Sequence, residues 1–166
     1  MPITSDQFRQ ALAHFPAGVT IVTVRTGDRV HGLTVSAFNS VSTEPPLVVV
    51  VIDRRHRAAE MFDAPDASFA VNILSEDQSE LSNRFAWVKD EDRFAQGTWE
   101  RAATGAPVLT DALSWLDCSI AARYPAGTHT IYLGLVEASA VPNPGLPPLL
   151  YWHRGYRKIK LLDGDG

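Results

Sequence analysis

Short runs of β-branched and apolar residues alternate along the chain with short polar turns, a pattern typical of a protein built mainly from strands. Strands are predicted over residues 19–25, 30–41, 47–52, 68–74, 115–123, 129–141 and 149–153. The run over residues 47–52 is apolar at every position, which is typical of a strand buried on both faces. Gly155 is predicted to begin an irregular tail.

Three short helices interrupt the predicted strands. Thr4 and Gln7 have the spacing of a capping box, and apolar residues follow at helical spacing until Pro16 ends the helix. Two further helices are predicted, one over residues 55–62 and one that is capped by Ser75 with Gln78 and reaches Phe85. Residues 88–107 are charged and contain two glycines, so we predict a long irregular excursion there.

No internal repeat and no linker divides these elements, which predicts a single domain over residues 1–166. Many strands with hairpin-like turns and few helices favour a mainly β fold, an antiparallel barrel. Barrels leave few free strand edges and often bind a ligand at the mouth. The ends and edges of the strands are therefore the places to look for chemistry.

Charge and composition narrow the classes of partner. The formal net charge is −4, which argues against nucleic acid because phosphate binding needs a concentrated basic surface. The single cysteine, Cys118, allows no intrachain disulfide. The N-terminal residues show no signal peptide and the longest apolar run is too short to span a bilayer, so we expect no membrane association and a cytoplasmic location.

Several common catalytic motifs are missing from the sequence. There is no glycine-rich dinucleotide fingerprint, no P-loop, no paired-histidine zinc motif and no nucleophile elbow. The five histidines show no metal-ligand spacing, so no metal site is predicted. The sequence therefore gives no support to a metal-dependent or a serine-dependent hydrolase.

The most informative segment is GLTVSAFNSVS at residues 32–42. Alternate residues of a strand share a face. One face then carries Thr34, Ser36, Phe38, Ser40 and Ser42, and the core face carries Leu33, Val35, Ala37 and Val41. Hydroxyls can donate to the phosphate and polyol parts of a ligand without a bulky cation. A solvent-exposed strand face would show the same pattern, and spacing alone favours that alternative.

Other polar segments could contribute to the same ligand site. Arginine loops follow the apolar strand and close the third helix, and arginine suits phosphate because its planar group donates two parallel hydrogen bonds. His129 begins a long strand, and the segment over residues 151–156 interleaves aromatic rings with Arg154. Each feature alone is also typical of a charged surface turn, a turn histidine or an aromatic cluster that seals a barrel end.

The order and spacing of seven segments are more specific than any one of them. They are FPAGVTIVT at residues 15–23, GLTVSAFNSVS at 32–42, PPL at 45–47, FAVNIL at 69–74, RF at 84–85, GTHTI at 127–131 and YWHRGY at 151–156. Together they resemble the short-chain flavin reductase family, the reductase components of two-component flavin monooxygenases. The resemblance runs from about Phe8 to Lys158.

The resemblance implies an antiparallel split β-barrel of the FMN-binding type. It implies a homodimer with flavin near the subunit interface, and hydride transfer from NADH or NADPH to FMN or FAD. It also implies a partner, a flavin-dependent monooxygenase component that uses the reduced flavin.

The site residues that the resemblance implies fall into three groups. Flavin contacts are expected from Thr34, Val35, Ser36, Ala37, Ser40 and Val41. Phosphate contacts are expected from Arg84 and Phe85, and from Arg55 and Arg57 where relatives often have serine or threonine. His129, the expected catalytic residue, is placed beside the nicotinamide with Arg154 and Tyr156. Thr128 stands where relatives often carry an acidic residue.

Three other interpretations stay open at this point. An FMN-binding electron carrier or storage protein on the same barrel would show the same flavin segment without NAD(P)H turnover. An enzyme related to pyridoxamine-phosphate oxidase would need more basic residues around its phosphate than the sequence shows. A purely structural domain would bind no flavin.

Overall fold

The structure, a computed structural model, describes residues 2–89 and 92–162. The strands in these ranges are β1 Ala17–Gly18, β2 Thr20–Thr26, β3 Arg29–Val35, β4 Phe38–Thr43, β5 Pro46–Asp53, β6 Ser68–Ile73, β7 Trp99–Arg101, β8 Pro107–Leu109, β9 Ser114–Ala126, β10 His129–Ala140, β11 Leu150–Trp152 and β12 Gly155–Arg157. The α-helices are α1 Ser5–Leu12, α2 Ala59–Asp63 and α3 Ser79–Trp87. Two 3₁₀ turns cover Glu76–Gln78 and Arg93–Ala95.

Seven antiparallel strands form the main sheet, in the order β3-β2-β6-β9-β10-β5-β4. The two edge strands, β3 and β4, are consecutive in sequence and are joined by Ser36 and Ala37 alone. The sheet therefore curls until its edges meet at this corner, while no ladder closes it within the described residues. This arrangement is a split barrel, and the predicted fold class, mainly β and antiparallel, is confirmed.

Two hydrophobic cores hold the elements together. Inside the barrel, Phe62 of α2 packs against Phe69 and Tyr132, with ring centroids 5.9 and 4.9 Å away. The second core lies between α3, β8 and the outer side of β2 and includes Ile21, Leu74, Leu81, Phe85, Leu109 and Leu149. The second core fixes α3 over β2 and β3, on the outside of the barrel.

Both predicted capping boxes are confirmed. The Thr4 hydroxyl accepts a hydrogen bond from the Gln7 backbone, and the Gln7 side chain accepts one from the Thr4 backbone. Ser75 and Gln78 form the same arrangement ahead of α3. Helix α1 buries none of its residues, and Phe15 just beyond it is 74% exposed. The apolar face of α1 is therefore open in the single chain.

The single strand predicted over residues 30–41 is wrong. The chain bends at residues 36–37, so one segment supplies strands at both edges of the sheet. A bulge between Ser40 and Ser42 then shifts the alternation within β4. Two residues that were predicted in the core are exposed as a result, Ala37 and Val41.

The prediction that residues 47–52 are buried on both faces is also wrong for the single chain. Val48, Val50 and Ile52 of β5 point into the barrel and are buried. Val49 and Val51 on the outer face are only half-buried, because no other layer of this chain covers them in the described residues.

Three smaller predictions need correction. The helix predicted over residues 55–62 shrinks to α2, because the loop before it forms turns instead. The excursion over residues 88–107 contains β7, which pairs with β8 as a hairpin. Gly155 does not begin a tail; it begins β12, which pairs with β11 in a small sheet with β1.

Candidate functional site

A cleft of about 780 Å³ lies beside the corner between β3 and β4. Its walls come from α1 and the residues after it, from the outer face of β5, and from β11. Its apolar lining comprises Leu12, Phe15, Ala37, Phe38, Val49, Val51, Tyr151 and Trp152. This volume is in the range of small-molecule and cofactor sites.

A second cleft, about 400 Å³, lies between the end of α3, β3 and β12. Its lining is more polar and includes Thr34, Ser36, Ser82, Asn83, Trp87, Arg154 and Tyr156. Ser36, Tyr151 and Arg154 line both clefts, so the two spaces adjoin at these residues. We call the first space the apolar cleft and the second the polar cleft.

The corner at residues 36–37 is shaped by backbone hydrogen bonds. The Phe38 N–H donates to the Ser36 carbonyl over 3.0 Å, which turns the chain sharply. The Val51 N–H donates to the Ala37 carbonyl over 3.1 Å, which ties the corner to β5. Ser36 and Ala37 are therefore held at the surface where the two clefts meet.

The floor of the polar cleft is cross-linked by side-chain hydrogen bonds. The Thr34 hydroxyl donates to the Ser82 carbonyl over 2.6 Å. The Tyr156 hydroxyl lies 2.9 Å from both Ser82 Oγ and Asn83 Oδ1. These contacts fix β3, α3 and β12 relative to one another, and they place Thr34 and Tyr156 in the same cleft.

The turn between β11 and β12 places Arg154 at the junction of the clefts. His153 and Arg154 both adopt positive φ angles, 50° and 60°, in the left-handed region that residues with a Cβ rarely occupy. The turn is anchored because the His153 N–H donates to the Ala13 carbonyl over 3.0 Å. The Trp152 indole N–H donates to the His14 carbonyl over 3.0 Å.

The structure places the Phe85 side chain in the second core, away from both clefts. Its side chain is fully buried and contacts the rings of Phe94 and Trp99. A Cβ added at Gly32 would lie 2.5 Å from the Phe85 ring, so glycine is needed there for α3 to approach β3. Val35 is also buried, with its side chain in the barrel core.

Arg84 lies outside both clefts and holds the segment that follows α3. Its guanidinium donates to the carbonyls of Asp92 and Arg93 over 2.5 and 3.2 Å. Arg93, which sequence reasoning missed, is buried and donates to the carbonyls of Gly32 and Phe85 over 2.8 and 2.7 Å. A buried arginine that binds main-chain carbonyls leaves no clear sequence signal.

His129 and Arg55 lie together at the far end of β5 and β10, and neither lines the apolar cleft or the polar cleft. Arg55 forms a two-point contact with Asp53, at 2.7 and 3.1 Å, and this contact holds the pKa of the Asp53 carboxyl well below its usual range. His129 pairs with Asp53 across the ladder, and its Nδ1 lies 2.8 Å from the Thr128 hydroxyl.

Arg57 lies in a third pocket, about 480 Å³, near the start of β3. Its Nε lies 3.4 Å from Nε2 of His31, whose ring centroid is 5.6 Å from that of His56. Burial, followed by the positive charges of Arg93 and Arg57, lowers the pKa of His31 to about 4. The same influences lower the pKa of His56.

The sequence-predicted residues therefore separate into distinct places. The clefts bring together Thr34, Ser36, Ala37, Arg154 and Tyr156. Ser40 and Val41 lie on the exposed edge strand β4, outside the clefts. Sequence reasoning missed Asn83 and Trp87, because the predicted helix ended at Phe85 and only the observed length of α3 puts both residues on one helix, four positions apart.

No group of three or more His, Cys, Asp or Glu side chains in residues 2–89 and 92–162 could hold a metal ion. Over the same ranges, the helices are all too short or too polar to cross a membrane.

Comparison with known proteins identifies the family. The model of the flavin reductase like domain matches residues 12–160 of the 166. The chain belongs to this family. The flavin reductase like chains with solved structures include PheA2 in its native state, with a TM-score of 0.85 at 34% identity, covering 96% of this chain and 100% of that one.

Another structural neighbour is the NADH:FAD oxidoreductase SgcE6 of Streptomyces globisporus in complex with NAD and FAD fragments. It has a TM-score of 0.87 at 32% identity, and the match covers 96% of this chain and 94% of that one.

Curated proteins with similar sequences match most of this chain. An actinorhodin polyketide dimerase of Streptomyces coelicolor is 43% identical over 148 residues, 89% of this chain and 82% of that protein. An NADH-dependent flavin reductase of a Rhodococcus species is 36% identical over 166 residues, 98% of this chain and 91% of that protein. The reductase component of 4-hydroxyphenylacetate 3-monooxygenase from Thermus thermophilus is 37% identical, with coverage of 93% and 96%.

Proposed function

We propose that this chain is an NAD(P)H:flavin oxidoreductase that reduces FMN or FAD and supplies reduced flavin to a flavin-dependent monooxygenase component. The observation that carries the proposal is the pair of adjoining clefts at the corner of a flavin reductase like barrel. One cleft is apolar enough for a flat ring system, and the other offers hydroxyl, amide and guanidinium groups. A flavin has a flat apolar ring followed by a polyol and a phosphate, so its parts match the two clefts in the same order.

The residues of the apolar cleft fit an isoalloxazine ring. Ala37 presents only a methyl group at the corner, while Phe38, Val49 and Val51 supply apolar surface. Ser36 and Thr34 lie on the way into the polar cleft, where hydroxyls can meet the ribityl chain. Arg154 lines both clefts and would hold a phosphate there.

In this proposal the protein accelerates the reaction mainly by positioning the flavin and the nicotinamide. The reduced nicotinamide supplies a hydride and the flavin accepts it, so the chain need not provide an acid–base pair. The apolar side chains of the cleft would hold the two rings within reach of each other and limit their contact with water. Hydrogen bonds to Ser82 and Asn83 hold Tyr156 in place and so fix one wall of the polar cleft.

The proposed role of His129 depends on the oligomeric state of the protein. In one protomer, His129 and Arg55 are outside both clefts, so a role beside the nicotinamide requires a second copy to supply them. The outer face of β5 and β10 supports such a homodimer. It is aliphatic and only half-buried, with side chains of Leu47, Val49, Val51, Ile131, Leu133 and Leu135.

An open apolar face of this kind is typical of a protein interface. It also explains why residues 47–52 are apolar at every position although one protomer buries only alternate side chains. We further propose that the dimer works in the cytoplasm and binds neither nucleic acid nor membranes.

The test is a steady-state assay of the purified protein. The absorbance of NADH or NADPH is followed after addition of FMN or FAD, and flavin binding is measured separately by fluorescence quenching. We expect oxidation of the reduced nicotinamide that depends on added flavin. Tight flavin binding with no oxidation by either nicotinamide would overturn the reductase and leave a flavin carrier.

Matched variants test where the flavin binds. Ser36→Ala combined with Arg154→Gln should weaken flavin binding by roughly tenfold or more, because a hydroxyl and a phosphate partner are both lost. Ser40→Ala removes a hydroxyl from the exposed edge strand and should leave binding unchanged. Equal effects of the two changes would show that the flavin lies elsewhere.

His129→Ala tests the role of the dimer. We expect a higher KM for NADH with little change in flavin affinity, and sedimentation that reports two copies. A monomer with full activity would overturn both the dimer and the placement of His129.

A further inference from the structure

The polar cleft has one wall that neither the sequence motifs nor the proposed flavin contacts use. Trp87, the last residue of α3, lines this cleft and is 77% exposed. An indole of this size is usually covered by other groups, because it is the largest apolar side chain a protein has. Its flat face is therefore a free stacking surface within a ligand-sized space.

The position of Trp87 is set by a rigid part of the fold. Asn83 lies four residues earlier and so shares its face of α3. Asn83 Oδ1 lies 2.9 Å from the Tyr156 hydroxyl, and the Tyr156 ring packs against the core beneath α3. Trp87 thus stands on a helix that is tied directly to the opposite wall of the cleft.

The order of apolar and charged side chains along the two clefts indicates which part of a ligand Trp87 contacts. The apolar cleft offers space for one flat ring, Arg154 stands at the junction, and Trp87 lines the space on the other side. A ligand that follows this path has a ring, then phosphate, then a second ring. FMN ends at its phosphate, whereas FAD, NADH and NADPH continue from a diphosphate to adenine.

We propose that the polar cleft binds the adenosine diphosphate half that FAD and NAD(P)H share, with adenine stacked on Trp87 and a phosphate at Arg154. The exposed amide of Asn83 lines the same space and can meet the ribose or the adenine edge. The proposal rests on the proposed flavin reductase function, because that function brings such dinucleotides to the clefts.

The first experiment uses ADP alone as the probe. Its binding to the full chain is measured by calorimetry for the wild type, Trp87→Leu and Trp87→Phe. Stacking of a base on an aromatic side chain predicts that Trp87→Leu weakens ADP binding by roughly tenfold or more. Trp87→Phe keeps a flat ring and should retain most of the affinity.

Phe8→Leu is the matched control. It removes an exposed aromatic ring, 52% accessible, from α1 at a position that lines neither cleft. We expect no change in ADP binding for this variant. Failure of the wild type to bind ADP, or equal ADP affinity of wild type and Trp87→Leu, would overturn the proposal.

The second experiment identifies the source of the adenine. If it belongs to FAD, Trp87→Leu weakens FAD binding and leaves FMN binding unchanged. If it belongs to the nicotinamide dinucleotide, the same variant raises KM for NADH with either flavin. It then leaves KM unchanged for reduced nicotinamide mononucleotide, which has no adenine.

These outcomes separate the proposal from the function on which it rests. ADP binding that depends on Trp87 in a protein that oxidises no NADH would overturn the reductase function and keep the adenine site. If Trp87→Leu oxidises NADH normally and its affinities for FAD and FMN and its KM for NADH are unchanged, the proposed function stands and the adenine site is overturned.

Discussion

The two halves of residues 32–42 carry nearly the same alternation of apolar and hydroxyl residues, yet the fold treats them differently. In the first half, Leu33 and Val35 are 7% and 6% exposed. In the second half, Val41 is 54% exposed. The difference arises because β3 is covered outside by α3 and inside by the barrel core, whereas β4 is an edge strand with a bulge. Alternation shows that a strand has two faces, and only the neighbouring elements decide which face is covered.

The largest expected contrast is in the stability of two variants, each with one side chain of this segment shortened. Leu33→Ala leaves a cavity in the barrel core and should lower the free energy of unfolding by about 2–5 kcal/mol. Val41→Ala removes surface that water already reaches and should change it by less than about 0.5 kcal/mol. Urea unfolding of both variants measures the contrast, and similar losses would mean that β4 is as covered as β3.

A second contrast concerns the close approach of α3 to β3. Gly32→Ala places a methyl group 2.5 Å from the buried Phe85 ring and should cost about 1–3 kcal/mol of stability. Gly18→Ala is the matched control, because nothing lies within 4 Å of the added Cβ there. Thermal unfolding compares the two, and an unaffected Gly32→Ala protein would show that α3 is not fixed against β3.

The start of β3 should also make stability depend on pH. The folded pKa of His31 is about 4, below its ordinary 6.5, because burial and the charges of Arg93 and Arg57 oppose its protonation, with His56 adding to them. The unfolded chain therefore takes up a proton that the folded chain does not between these values. Stability is complete above about pH 6.5 and is lost as the pH falls toward 4.

Because His31 is partly exposed, we expect this loss to be about 1–2 kcal/mol. Denaturant unfolding at several pH values measures it, with His31→Gln as the variant that cannot titrate. An unchanged slope in His31→Gln between pH 4 and 6.5 would assign the dependence to other groups.

The smallest expected contrast is between two hydroxyls of the same segment. The Thr34 hydroxyl donates to the Ser82 carbonyl over 2.6 Å, so Thr34→Val should cost about 1 kcal/mol and loosen α3. Ser40 is exposed on β4, and Ser40→Ala should leave stability unchanged. Hydrogen exchange of the α3 amides distinguishes the variants, and equal protection would mean that the Thr34 contact does not hold the helix.

Local signals predicted the parts of the fold that depend on neighbouring residues. The capping boxes at Thr4 and Ser75, the strands β2 and β6, and the long pair β9 and β10 are all close to their predicted positions. Each depends on spacing within a few residues or on β-branched runs, and such signals are written in the sequence itself. The fold class followed from them.

The site was predictable only in part, because it depends on contacts between distant segments. The hydroxyls at Thr34 and Ser36 and the tail residues Arg154 and Tyr156 do meet at the clefts. The family resemblance implied a ligand contact for Phe85, but its ring is enclosed by Gly32, Phe94 and Trp99. The roles of Arg55, Arg57 and His129 stay predictions, since these residues line neither of the two clefts.

The alternation of side chains, the turn residues and the helix caps were determined by the sequence alone, because they follow from local geometry. The tertiary structure decided that one apparent strand splits at residues 36–37 and supplies both edges of the sheet. It also decided that the corner so formed is where two clefts adjoin, with Trp87 facing one of them. The reason is that covering a strand and shaping a cleft both depend on elements far away in sequence, whose positions are set by packing of the whole core.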